Sequence, residues 1–229
     1  MTIVMYDLVG ADDRRFSPNC WRTRMALLHK GLEHEARATR FEEIKSICDG
    51  ERKTIPTIED GDKVVTDSLA IADYLEETYA DRPSLFDGPV GRGLAAFVQN
   101  WTQTVVNPGV VGMVVADIHD NLVPSDQGYF RASREKLFGR ALEDVQAGRE
   151  DRLEGFRKSL TPLRATVSQQ AFLGGDRPTY ADYVAFAPFQ WARSISDFRL
   201  LEDDDPIRTW IARCLDLHGG VARAAVAYD

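Results

Sequence analysis

The sequence predicts two kinds of fold in one chain, a small α/β domain followed by an all-helical domain. Segments that favour strands occur only before residue 83, where they alternate with segments of helical periodicity. A stretch rich in Pro and Gly follows, and the rest of the chain shows long helical patterns without a clear strand. We therefore expect residues 1–82 to form the first domain, residues 83–93 a linker and residues 94–229 the second domain.

The elements of the first domain are predicted in the order β-α-β-α-β-β-α. Strands are expected over residues 3–8 and 34–38, and the helix between them starts at Pro18 and ends at His29, ahead of Gly31. The charged stretch from Arg40 to Lys53 is expected to hold a short helix. Residues 57–59 and 63–66 flank Asp60-Gly61-Asp62 and are typical of a β-hairpin. From Ser68 onward, apolar residues recur at helical spacing.

The second domain is predicted to be helical throughout. Five segments have the length and pattern of helices, namely residues 94–115, 130–145, 152–170, 180–195 and 206–217. Asn107-Pro108-Gly109 is expected to bend or break the first of them, because proline lacks the N–H that an α-helix needs.

Composition restricts the class of protein. The net charge of −8 argues against nucleic acid as a partner, because phosphate binding needs concentrated Lys and Arg. No apolar run approaches the roughly 18 residues that a membrane span needs. The histidines show no ligand spacing with the cysteines, so no metal site is expected.

The cysteines and the first residues predict a cytoplasmic protein. Cys20, Cys48 and Cys214 are odd in number and far apart, which fits reduced thiols. The opening residues lack the basic region and apolar core of a secretory signal.

Three short segments indicate a binding site for a small thiol peptide. In the first, Ser17-Pro18 opens a helix, whose N–H groups and positive dipole end favour an anion. In the second, Ile55-Pro56 belongs at a sheet edge or in a cis turn, where backbone groups are left for a ligand. In the third, Asp67-Ser68 opens another helix.

These segments, in this order, resemble the cytosolic glutathione transferases over nearly the whole chain. Residues 174–182 add to the resemblance, because Thr179 and Asp182 match the capping box of a buried helix, with Asp in place of Glu or Gln. Residues 16–27 look like the serine-type branch, which contains the bacterial lignin β-etherases and their fungal transferase relatives. The resemblance implies a thioredoxin-like N-terminal domain with a mixed four-stranded sheet, glutathione as co-substrate and a homodimer.

The resemblance also assigns roles within the glutathione site. It places the Ser17 hydroxyl at the glutathione sulfur, the Ile55-Pro56 backbone along the peptide and Asp67-Ser68 at the γ-glutamyl carboxylate. Asn19 either helps to hold the sulfur or stabilises the turn. Lys53 and Lys45 are alternative partners for the glycine carboxylate, and each is as readily explained as a solvated lysine.

The acceptor is expected to be a hydrophobic, aromatic small molecule. Four residues are candidates to line its pocket, each with core packing as the alternative: Phe16, Trp101, Val106 and Met113. The resulting prediction is a transferase in which a serine-activated thiolate attacks an electrophile such as a lignin-derived β-aryl ether. Two alternatives remain, a non-catalytic carrier of glutathione or aromatic ligands and a thiol reductase that uses Cys20, which otherwise packs as an inert thiol.

Overall fold

The computed structural model of the chain describes residues 2–48, 50 and 53–228. Its first part is a four-stranded mixed sheet with the strand order β2-β1-β3-β4. β1 pairs in parallel with β2 and antiparallel with β3, and β3 pairs antiparallel with β4. The strands are β1 (Ile3–Leu8), β2 (His34–Thr39), β3 (Thr57–Asp60) and β4 (Lys63–Thr66). This arrangement confirms the predicted thioredoxin-like domain.

Two helices, α1 (Pro18–His29) and α2 (Ser68–Thr78), pack against each other beside this sheet. α1 begins where predicted because Pro18 needs no N–H in the first turn, while the Ser17 side chain caps the helix. The short helix expected between residues 40 and 53 is a 3₁₀-helix over Phe41–Ser46. Residues 49, 51 and 52 of that stretch lie outside the described residues.

The second half is helical, as predicted. Its helices are α3 (Pro89–Trp101), α4 (Asn107–Asp120), α5 (Pro124–Phe138), α6 (Leu142–Gln146), α7 (Arg149–Ser159), α8 (Thr161–Val167), α9 (Tyr180–Ile195) and α10 (Pro206–Gly220). They are organised around α9, whose side chains are mostly buried and which packs against α1, α3, α4 and α10.

Two of the predicted long helices are wrong, because each is divided in two. Residues 130–145 are shared between α5 and α6, since Gly139 adopts a left-handed φ of 70° and ends α5. Residues 152–170 are divided by Leu160, whose ψ of 1° is not helical, and by Pro162 in the first turn of α8. In both cases buried residues on the two sides of the break join the same core, so the apolar periodicity continues across it.

The interruption predicted at Asn107-Pro108-Gly109 lies slightly earlier. α3 already begins at Pro89, and a π turn over Thr102–Val106 connects it to α4. In that turn the Asn107 N–H donates to the carbonyl of Thr102, five residues back. This wider turn gives room to Pro108, which would otherwise clash with the carbonyl four residues before it.

The predicted capping box opens α9. Asp182 is fully buried, and its carboxylate accepts hydrogen bonds from the Thr179 N–H at 3.0 Å, the Leu173 N–H at 2.7 Å and the Trp210 indole N–H at 3.0 Å. These contacts join the start of α9 to the preceding loop and to α10. Within the described part of the chain, none of the helices has the length and apolar character needed to cross a bilayer.

Candidate functional site

The sheet register brings the three motif segments to one end of the sheet. Tyr6 in β1 lies opposite Thr57 at the start of β3, and Thr57 lies opposite Thr66 at the end of β4. The chain therefore leaves β1 toward Ser17, enters β3 after Pro56 and leaves β4 into Asp67 on the same side. The Asp67 N–H donates to the carbonyl of Pro56 at 3.3 Å, which joins the second segment to the third.

Ser17 is the N-cap of α1 and is 7% exposed. Its Oγ accepts a hydrogen bond from the Cys20 N–H at 3.3 Å. A hydroxyl that accepts in this way still has a proton to donate, and the donation is strengthened by the bond it accepts. Asn19 is half-buried, and its side chain makes no hydrogen bond to the rest of the described chain. The turn-stabilising contact considered for Asn19 is therefore absent among the described residues.

Cys20 has the environment of a packed thiol. It is 1% exposed, and burial raises its pKa far above the ordinary value, with the Asp7 carboxylate raising it further. Asp7 is itself buried and pairs with Arg15 at 3.1 Å and with Arg24 at 3.8 Å. A reactive cysteine needs thiolate character and access, and Cys20 has neither. The geometry therefore does not favour the thiol-reductase alternative.

Ile55-Pro56 forms a cis peptide bond at the start of β3. Ile55 is half-buried against the core, and its own N–H and C=O make no hydrogen bond to the rest of the described chain. An unpaired peptide group beside a sheet offers a donor and an acceptor to an extended peptide, as an added strand would use them. This feature was predicted from the sequence.

Asp67 and Ser68 form the start of α2. The Asp67 carboxylate accepts hydrogen bonds from the N–H groups of Leu69 at 2.9 Å and Ala70 at 3.1 Å. Asp67 has a φ of 83°, which is strained for any residue with a Cβ. Ser68 is 2% exposed, its hydroxyl makes no hydrogen bond to the described chain, and its carbonyl accepts one from the Tyr180 hydroxyl at 2.7 Å. Tyr180 thus ties α9 to this end of the sheet.

Arg22 of α1, five residues after Ser17, is a residue that the sequence analysis missed. Its side chain is fully buried, and neither Nε nor one terminal nitrogen has a hydrogen-bond partner within the described chain. Burial lowers the pKa of Arg22, while Tyr180 and Asp67 act in the opposite direction. A buried charge without a partner is costly, so this guanidinium is a strong candidate to act on an anionic ligand near Asp67. The sequence signal was an arginine that shares a helix face with the apolar residues Met25 and Ala26.

The other predicted site residues lie either at the surface or wholly or partly within the core. Lys45 and Lys53 are both exposed. Trp101 is half-buried at the end of α3, whereas Phe16, Val106 and Met113 are at most 4% exposed and belong to the core. Phe16 packs on Phe41 with ring centroids 6.4 Å apart.

A cavity of about 330 Å³ lies elsewhere, between α9, α10 and residues 196–201. None of the three motif segments contributes to its lining. Among the described residues, no group of three or more His, Cys, Asp or Glu side chains is placed to hold a metal ion.

Comparison with known proteins assigns the chain to a family. Residues 13–83 match the glutathione S-transferase N-terminal domain, and residues 93–217 match the glutathione S-transferase C-terminal domain. The chain belongs to the glutathione S-transferase family. Members of this family use glutathione as a co-substrate.

Individual relatives agree with this assignment. Glutathione S-transferase U28 of Arabidopsis thaliana is 24% identical over 87% of this chain and 81% of its own. A crystal structure of a glutathione transferase from Phanerochaete chrysosporium is 28% identical, with a TM-score of 0.83 over 93% of this chain and 96% of that one. A glutathione S-transferase of Ceriporiopsis subvermispora, crystallised with glutathione, is 27% identical, with a TM-score of 0.81 over 95% of this chain and 96% of that one.

Proposed function

We propose that the protein is a serine-type glutathione transferase, in which the Ser17 hydroxyl stabilises the glutathione thiolate. The observation that carries the proposal is the meeting of three elements at one end of the sheet: the capped start of α1, the unpaired peptide group of Ile55 and the start of α2. Together they offer a donor to the sulfur, a backbone edge to the peptide and the N–H and hydroxyl of Ser68 to the γ-glutamyl carboxylate. Residues 1–82 bind glutathione, and residues 94–229 contribute the acceptor pocket.

The contribution of Ser17 to the rate is modest. A charge-assisted hydrogen bond worth about 1.5 to 3 kcal/mol lowers the thiol pKa from about 8.5 to about 6.5. The thiolate fraction at pH 7 then rises about 25-fold. The thiolate of a more acidic thiol is a weaker nucleophile, which reduces this gain in rate by a factor of about 8. The net gain is a few-fold. Most of the acceleration therefore comes from holding thiolate and electrophile together.

In the reaction, the thiolate attacks an electrophilic carbon of a hydrophobic acceptor. For a β-aryl ether ketone, a C–S bond forms at the ether-bearing carbon, and the C–O bond breaks. The electron pair of that bond leaves with the phenolate, which then takes a proton from water. The resemblance of residues 16–27 to the β-etherases supports this acceptor.

The test of the serine role separates the hydroxyl from the helix cap. Ser17→Ala removes both, whereas Ser17→Gly removes the hydroxyl at little cost to the cap. Ultraviolet titration of bound glutathione should show the thiol pKa rising by about 1 to 2 units in both variants. The proposal is wrong if both variants bind glutathione and keep the wild-type thiol pKa and conjugation rate. Release of phenol from a β-aryl ether model ketone tests the acceptor, with the uncatalysed rate as the control.

A homodimer is part of the proposal, and α3 supports it. Val90, Leu94 and Phe97 follow one another at helical spacing and are 88%, 37% and 71% exposed. A stripe of large apolar side chains on a helix is unusual on a monomer and suits a second copy of the chain. The proposed setting is the cytoplasm, which suits the three reduced cysteines.

A further inference from the structure

We infer that Arg14 is a positioning residue for the transferase reaction, which holds the chain ahead of Ser17 so that the Ser17 hydroxyl meets the glutathione sulfur. This role rests on the proposed function of Ser17. It concerns the loop over residues 10–16, which lies between the end of β1 and the start of α1. The contacts of this loop lead to the helical domain on one side and to the sheet on the other.

Arg14 reaches from the loop to the helical domain. Its Nη1 donates a hydrogen bond to the carbonyl of Ser194 in α9 at 2.8 Å. The guanidinium also lies over the ring of Tyr228, 4.6 Å from the centroid. Tyr228 is itself held by α9, because its N–H donates to the Arg193 carbonyl at 2.8 Å. One side chain thus ties the loop to α9 and to the segment that follows α10.

Arg15 is held from the opposite direction. Its guanidinium pairs with the buried Asp7 carboxylate of β1 at 3.1 Å. Its carbonyl accepts a hydrogen bond from the Trp21 indole N–H at 2.6 Å, which joins the loop to α1. Because Arg14 and Arg15 are adjacent, the chain is fixed between the two domains only two residues before Ser17.

The beginning of the loop is held by the turn after α4. The Ala11 N–H donates to the Asn121 carbonyl at 2.8 Å, and a Cβ on Gly10 would lie 2.5 Å from the same oxygen. The next two residues, Asp12 and Asp13, have φ angles of 54° and 58°, a left-handed conformation that is uncommon outside glycine. Such a backbone persists only where its surroundings hold it, so the contacts with the helical domain determine the shape of the loop.

The cost of burying part of Arg14 favours a role in function over one in stability. Its Nε is buried and has no hydrogen-bond partner within the described chain. An unsatisfied buried donor is unfavourable, so Arg14 stabilises the fold less than its contacts suggest. A methionine of similar length fills the space without leaving a donor unpaired. Arg14→Met should therefore fold, and its main effect should be on the position of the loop.

The first measurement needs no ligand. The Cys20 N–H donates to Ser17 Oγ at 3.3 Å, so hydrogen exchange at this amide reports the position of the Ser17 side chain. By NMR on the full chain, this exchange should be about 10-fold faster in Arg14→Met than in the wild type, as expected for the loss of one hydrogen bond. The matched control is Arg213→Met, which also removes a hydrogen bond from an arginine to a carbonyl, that of Ala171, outside the loop and its contacts. Its Cys20 exchange should equal that of the wild type.

The second measurement separates position from charge. Arg14→Met should raise the pKa of the bound glutathione thiol, titrated by ultraviolet absorbance, by about 1 unit. Loss of a positive charge that acts directly on the sulfur would raise this pKa as well. The two causes differ in Ser17→Gly, which has no hydroxyl left to position. In that background Arg14→Met should leave the thiol pKa unchanged, whereas a direct charge effect would persist.

Two results would overturn the inference. One is unchanged Cys20 exchange in Arg14→Met, once circular dichroism has shown that the variant is folded. The other is a rise in the thiol pKa that is as large in the Ser17→Gly background as in the wild type. Tyr228→Leu removes the ring under the guanidinium and should also speed Cys20 exchange, so it replaces Arg14→Met if that variant does not fold.

The proposed function can fail separately. If the wild-type protein binds glutathione and leaves the thiol pKa at its free value, the role of Ser17 in stabilising the thiolate is wrong. The Cys20 exchange measured without ligand then still decides whether Arg14 holds the loop.

Discussion

Replacing Arg22 with methionine should stabilise the ligand-free protein and weaken its binding of glutathione. The guanidinium is fully buried, and two of its nitrogens lack hydrogen-bond partners in the described chain. An unsatisfied buried donor costs about 1 to 3 kcal/mol, so removing two of them should raise the free energy of unfolding by about 2 kcal/mol or more. In a chain of 229 residues this corresponds to an increase in Tm of about 4 to 8 °C.

The loss in binding follows from the same charge. If the γ-glutamyl carboxylate lies about 8 Å from the guanidinium, an effective dielectric constant of about 20 gives an attraction of about 2 kcal/mol. The dissociation constant of glutathione should therefore rise about 30-fold in Arg22→Met. Calorimetric titration measures the dissociation constant, and thermal unfolding without ligand measures Tm.

Arg22→Lys is the matched control, because it keeps the charge while changing the shape of the side chain. It should bind glutathione more tightly than Arg22→Met and should not show the gain in Tm. The reasoning is refuted if Arg22→Met lowers Tm, which would mean that the guanidinium stabilises the ligand-free fold. Unchanged glutathione binding in a folded Arg22→Met variant would refute the electrostatic role.

Three further outcomes are expected. Asp182→Ala leaves two buried N–H groups, of Thr179 and Trp210, and the half-buried N–H of Leu173 without an acceptor. It should lower the free energy of unfolding in urea by about 3 to 5 kcal/mol, whereas a loss below about 1 kcal/mol would contradict this account. Phe97→Glu should shift the proposed dimer to monomer in analytical ultracentrifugation, while Leu137→Glu, at an equally exposed position on α5, should not. The free energy of unfolding should also fall as the pH drops from about 6.5 to about 4. Burial lowers the pKa of His218 to about 4, and the neighbouring His29 adds to the effect. Because the unfolded histidine has a pKa of about 6.5, the unfolded chain binds the proton more readily than the folded one in this range. Urea midpoints across this range should vary less in His218→Asn, since asparagine tolerates the φ of 53° found there; an equal slope would exclude the histidine as the cause.

The first domain was predictable because its signals are local. Pro18 after Ser17 marks a helix start, Asp60-Gly61-Asp62 marks a hairpin, and both depend on residues adjacent in the chain. The helix boundaries of the second half were harder to predict, because the apolar pattern there reflects packing between residues that are distant in the chain. Leu142 and Val145 of α6 bury against the same core as Phe130 of α5, so the apolar pattern alone gives no sign of the break at Gly139.

In the candidate site, too, local sequence signals are predictable and tertiary contacts are not. The sequence identifies Ser17, Ile55 and Asp67 as candidates because helix starts and proline turns leave a mark on neighbouring residues. Arg22 was not found, because its significance lies in the absence of a partner, and partners are known only once the chain is folded. The cavity between α9 and α10 was missed since its walls come from segments that only tertiary packing brings together.

The sheet register also determines where the chain tolerates a change in length. The turn at Gly61 lies at the opposite end of the β3–β4 hairpin from Pro56 and Asp67, so residues inserted there extend the hairpin away from the motif segments. A residue inserted within β3 has the opposite effect. It shifts Ile55 by about 3.4 Å along β1 relative to Ser17 and turns alternate side chains to the other face. The length of β3 therefore fixes the position of Ile55 relative to Ser17. Natural or engineered changes in loop length belong at the Gly61 turn, where they leave that position unchanged.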